Sequence, residues 1–175
     1  MRYSEKEKRK ELEVISEFLD SVEIASEIVP KGKLFSDVSL LVCLPSIEEL
    51  PDEIETASME QVHLASLCFG DLDEEDQRIS KYLSFYSQIH TEMKTLDEET
   101  VLRLVNQMNQ RVRFGHYFYG EVEGSEEKLV QYRATLVCAA EDQMDESVVA
   151  NMILEMGVGY DMMKEALKEA AEGKQ

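Results

Sequence analysis

Apolar positions along this chain change their spacing several times, and each change marks a new element. Leu12, Ile15, Leu19 and Val22 follow a helical stripe, widened by Val14 and Phe18, so a first helix is expected before the turn marked by Pro30 and Gly32. A short strand over 24–29 fits the residues before that turn. The run "DVSLLVCLP" at 37–45 is β-branched and apolar and stops at a proline, which reads as a strand. Further strands are expected at 61–70 and 79–90, separated by the acidic turn "DLDEEDQ". The acidic, proline-containing segment at 46–60 reads as a long loop.

The period then returns to helical. "TLDEETVLRLVNQMNQRV" opens with Thr95, followed by Glu98 three residues later in a capping-box arrangement, and Val101, Leu104, Val105 and Met108 form the stripe. "HYFYGEV" and "EKLVQYRATLVCA", joined by "EGSE", read as a hairpin. A long final helix from about residue 146 carries Val149, Met152, Ile153, Met156, Tyr160, Met163 and Leu167 on one side. Gly157 and Gly159 each weaken it by roughly 1 kcal/mol relative to alanine, so a kink or break is expected there. The order is helix, three strands (37–45, 61–70 and 79–90), helix, two strands, helix, with the short strand at 24–29 outside this count. Strands joined by turns with helices packed on them give an α+β domain with an antiparallel sheet of about five strands.

The length of 175 residues suits one domain, and a 43% hydrophobic composition is enough for a core. Charge narrows function: 37 acidic against 18 basic side chains give a net −19. That field repels phosphate backbones and anionic membrane surfaces, so neither nucleic acid nor membrane is an expected partner. The basic start "MRYSEKEKRK" is followed by an amphipathic, charged segment and not an apolar one, and no window reaches the length of a membrane span, so a cytoplasmic location is expected. Cys43, Cys68 and Cys138 lie far apart in apolar runs and read as buried, reduced thiols.

The stretch "YLSFYSQIHTEMKTLDEETVLRLVNQMNQRVRFGHYFYGEVE", with the later "VQYRATLVC", resembles the core of the bacterial sensory transduction regulators of the YbjN type. The shared features are an aromatic strand before a capped helix with asparagines three apart (Asn106, Asn109), then a basic link, two strands and a terminal helix. The likeness covers about residues 79–171, and residues 1–70 share only the order of elements. The resemblance implies the fold of type III secretion chaperones, which are small, acidic, usually homodimeric binders of other proteins. It carries no catalytic residues across. It implies a homodimer, with the Val101, Leu104, Val105, Met108 helix as its interface.

Chemical sites are hard to find. Counting an EF-hand from Asp71 puts Asp76 where glycine is needed and Tyr82 where glutamate is needed, so the acidic turn fails the calcium template. His63, His90 and His116 sit on three expected strands without zinc spacing, which reads as surface or edge histidines. There is no G-x-S-x-G elbow, Gly32-Lys33 lacks the phosphate-loop context, and the G-x-G at Gly157–Gly159 has no strand before it. No cofactor, metal or catalytic site is therefore assigned.

Aromatic residues are the remaining signal. The strand at 79–90 has bulky residues on both faces, Leu83, Phe85 and Ile89 against Tyr82, Tyr86 and His90, and "HYFYGEV" repeats the pattern. If these strands are neighbours, the sheet is covered on both sides, by the middle helix or by another molecule. A solvent-exposed tyrosine ladder is the alternative. With adaptable methionine on the last helix, the expected partner surface is Tyr82, Tyr86, Tyr117 and Tyr119 with Met162. The expected role is non-enzymatic binding of a protein client, as a chaperone-like or regulatory factor. A small-molecule or metal-responsive sensor, or an enzyme using carboxylates, stays open as the alternative.

Overall fold

A computed structural model describes residues 3–46, 62–70 and 79–173. The elements run α1 (Glu5–Ser21), β1 (Ser26–Val29), β2 (Ser39–Cys43), β3 (Leu64–Phe69), β4 (Ser80–Ile89), α2 (Glu98–Asn109), β5 (His116–Glu121), β6 (Lys128–Ala139) and α3 (Glu146–Ala171). The strands form one six-stranded antiparallel sheet in the order β1-β2-β3-β4-β6-β5. The α+β class is as the sequence indicates, with the strand at 24–29 formed. The acidic loop at 47–60 and the acidic turn at 71–78 lie outside the described residues.

Sheet pleating explains the core. In β4 the odd positions Lys81, Leu83, Phe85, Ser87 and Ile89 are buried, and the even positions are half-buried. The helices pack on the odd face. The α1 residue Glu11 holds Lys81, α3 reaches His63 beside β3, and α2 packs on α3 and β5. One cluster joins Leu12, Ile15 and Leu19 of α1 to Val42, Leu67 and Phe85 of the sheet and Ile153, Met163 and Leu167 of α3. The middle helix thus joins the other two on one side, which removes it as the expected cover for the opposite face. β4 and β5 are also not neighbours, because β6 lies between them.

Several local expectations change. α1 begins with a true capping box, in which Ser4 accepts from the Glu7 amide and the Glu7 carboxylate accepts from the Ser4 amide. Its apolar stripe stops at Leu19, and Val22 is an exposed C-cap. The α2 cap is Asp97, not Thr95: its Oδ1 accepts from the Thr100 amide at 2.7 Å. Thr95 is held inside a turn closed by Leu96 N–H donating to the Met93 carbonyl at 2.9 Å. The final helix runs unbroken through both glycines. A β-carbon at Gly157 would sit 2.1 Å from the Pro45 carbonyl oxygen, and one at Gly159 would sit 2.7 Å from the Tyr117 hydroxyl. These glycines permit close approach and do not bend the helix.

A buried ionic network ties α1 down. Lys81 Nζ donates to both Glu11 oxygens at 3.0 and 2.9 Å, Glu11 Oε1 also accepts from the Met144 amide at 2.8 Å, and the Tyr3 hydroxyl donates to Oε2. Lys8 pairs with Asp37 alongside. Groups from β4 and from the segments before α1 and α3 therefore meet on one carboxylate, whose burial requires all of its partners.

Candidate functional site

The structure divides the five residues of the expected partner surface among three places. Tyr82 and Tyr86 share the sheet face away from the helices. Tyr117 is on the opposite face and only 3% exposed; its ring meets Tyr132 and its hydroxyl lies at Gly159. Tyr119, two residues on, is half-buried against the same core. Met162 is on the outer side of α3. Tyr117 and Tyr119 therefore leave the proposed surface, because the alternation of β5 turns them under the helices. Burial also raises the pKa of the Tyr117 hydroxyl and pushes that of Tyr132 up to about 12, so both stay protonated and neutral.

The α2 stripe is likewise used internally. Val101, Leu104, Val105 and Met108 are all buried in the chain's own core, so they offer a second copy nothing to pack against.

The outward sheet face combines polar and apolar groups. The Tyr86 hydroxyl donates to Gln131 Oε1 at 2.6 Å and accepts from Gln88 Nε2 at 2.9 Å; Gln131 Nε2 donates to the Gly120 carbonyl at 2.9 Å. Tyr86 is thereby laid into a side-chain lattice. Arg133 lies over the Phe118 ring at 5.6 Å. Tyr82 is different: its cross-strand partner is Val137, 51% exposed, and among the described residues no side-chain lattice of this kind is formed at that end. Among the described residues no helix or strand covers this face.

His63 was expected at a surface or edge and is instead buried. Its ring stacks on Tyr160 at 4.0 Å, with Nδ1 3.3 Å from Asp161 Oδ1 and Nε2 3.3 Å from Lys164 Nζ. The imidazole thus lies between the Lys164 amine and the Asp161 carboxylate. Ser46 Oγ donates to the same carboxylate at 2.7 Å, and the Tyr160 hydroxyl accepts from the His90 amide at 3.1 Å. The serine hydroxyl is directed to the aspartate. The cluster fastens α3 to the ends of β2 and β3. A lone histidine in "QVHLASL" does not reveal these partners, because they lie about a hundred residues away.

Other chemistry is weak. The three cysteines are half-buried, less buried than expected, and burial raises the thiols of Cys43 and Cys138, which blunts them as nucleophiles. Among the described residues no three His, Cys, Asp or Glu side chains are placed to hold a metal ion, and no helix is long and apolar enough to cross a membrane.

The outer side of α3 is unusual for a surface helix. Leu154, Val158 and Met162, four residues apart, are all substantially exposed while the inner side fills the core. Met162 fits its expected exposure, and Met152, Met156 and Met163 fit their expected core positions. Val158, Met162 and Ala166 line a groove of about 470 Å³. Comparison of the chain with protein-family models and with curated proteins gives no match.

Proposed function

We propose that this chain is a non-enzymatic protein-binding module, chaperone-like or regulatory, whose client lies across the sheet face away from the helices. One observation carries the reading: the Tyr82–Val137 end of that face presents large apolar side chains with no described element above them. Tyrosine suits such a surface, since its ring is buried by a partner while its hydroxyl stays hydrated. The blunted thiols and the serine turned toward Asp161 favour binding over nucleophilic chemistry. The resemblance to the YbjN-type regulators points the same way. A homodimer through the α2 stripe is not part of this proposal, because that stripe is internal.

The test is affinity capture from the native cell with the wild-type chain and a Tyr82→Ser, Val137→Ser variant. Both positions are half-buried or exposed, so the variant keeps its fold. A stoichiometric protein captured by the wild type and lost by the variant supports the reading. Equal capture by both, or specific thermal stabilisation by a metal ion or metabolite in place of a protein, overturns it.

A further inference from the structure

We propose that the outer groove of α3 is a second binding site, which takes a lysine- or arginine-rich amphipathic helix of a partner protein. The site lies on the helix side of the molecule, whereas Tyr82 and Val137 face away from the helices, and it stands whether or not the sheet face binds a client.

The floor is apolar: Val158 is 58% exposed, Met162 40% exposed, and Ala166 continues the line. Carboxylates rim it at Glu165 and Glu169, with Asp161 already held by Ser46, and Arg111 is the one cation among the described residues of the lining. The groove sits on a chain of net charge −19. An acidic or neutral partner gains nothing from that field, whereas a basic one is drawn to it and neutralises the rim as it docks.

The backbone decides the partner's conformation. A helix wall has its own amides and carbonyls paired and offers no strand edge. An extended peptide buried here would leave its own backbone groups unsatisfied, but a helix satisfies them internally. Val158 to Glu169 spans about three helical turns, so the partner presents apolar residues at i, i+3 or i+4, and i+7 over a similar length. Methionine in the floor suits such a surface, because its flexible thioether adapts to different side chains.

The test uses the full chain and a fluorescent peptide of about four helical turns, with leucine on one face and lysine on the other. Fluorescence anisotropy is read against a scrambled peptide of the same composition and a glutamate-for-lysine peptide. The expected result is binding about tenfold or more tighter than the scrambled peptide, weakening with salt, with no binding of the glutamate peptide. A Val158→Ser, Met162→Ser variant, folded because both side chains are exposed, should lose about tenfold; the Tyr82→Ser, Val137→Ser variant should bind as the wild type does. Equal affinity for the scrambled peptide means charge attraction alone and overturns the proposal. So does an unchanged affinity in the groove variant, or a loss confined to the sheet-face variant, which would move the site to that face and leave the client reading intact.

Discussion

Replacing Gly157 by alanine should destabilise the protein, although alanine is the better helix former. Propensity alone predicts a gain of about 1 kcal/mol in a helix interior. The added β-carbon, however, would sit 2.1 Å from the Pro45 carbonyl oxygen, with the Pro45 carbonyl carbon at 3.2 Å and nitrogen at 3.4 Å. A carbon–oxygen contact needs more than 1 Å of extra room, and the obstacle is backbone, so α3 and the end of β2 must separate. Overpacking of this kind costs about 3 kcal/mol at the upper end of the usual range. The net expectation is a loss of about 2 kcal/mol, or about 4–8 °C in Tm for a domain of this size. Urea denaturation followed by circular dichroism measures it. Gly159→Ala is the internal comparison: there the obstacle is the far end of the Tyr117 side chain at 2.7 Å and not backbone, so the loss should be smaller. A Gly157→Ala midpoint equal to or above that of the wild type would refute the close approach of Pro45 to α3.

The buried pair Lys81–Glu11 should behave as a unit: Lys81→Met alone should cost about 3 kcal/mol, and a double-mutant cycle with Glu11→Gln should show coupling above about 1 kcal/mol in urea denaturation, whereas additivity would show that the two side chains do not meet. Glu23 has a left-handed backbone (φ 63°) just after α1, so Glu23→Gly should raise stability by about 0.5–1 kcal/mol, and no gain would mean that the turn is not formed as described. Hydrogen bonds from Thr100, and from Ser147 and Val148, hold Asp97 and Asp145 below the usual carboxylate range. Their folded values are lowered, so the stability they contribute is complete above about pH 4 and is lost as pH falls through those values. An Asp97→Asn, Asp145→Asn variant should therefore show a shallower fall of Tm on acidification than the wild type, and parallel curves would deny the caps this role.

Much of this architecture is written in local periodicity. The alternation of β4, the stripe of α2 and the hairpin of β5 and β6 are legible because each depends on near neighbours. What escaped depends on distant partners. β6 inserts between β4 and β5, which no local signal encodes, and with it the inference from β4 and β5 as neighbours fails. The tyrosines of β4 and β5 look alike in sequence; only strand placement sends Tyr86 outward and Tyr117 inward. Thr95 carries a fair capping signature, but the turn ending at Leu96 gives the role to Asp97. One signal was available and unused: the alternation that buries Leu83 and Phe85 also places Lys81 inward, and an inward lysine demands a carboxylate, which Glu11 supplies. His63 had the same clue, since the alternation that buries Ala65, Leu67 and Phe69 also turns residue 63 inward, although its partners are far away in sequence.

β5 forms one end of the sheet, and its outer rim is occupied by a side chain. Asn109, at the end of α2, accepts from the Tyr117 amide at 2.7 Å and donates to the Tyr117 carbonyl at 3.0 Å, the two contacts that another strand would make. The carboxamide acts as a one-residue false strand. A chain with apolar side chains on its sheet face runs a risk of stacking end to end into filaments, and the asparagine blocks strand addition at Tyr117 on this end. A strand joining the β5 rim there would first have to displace it.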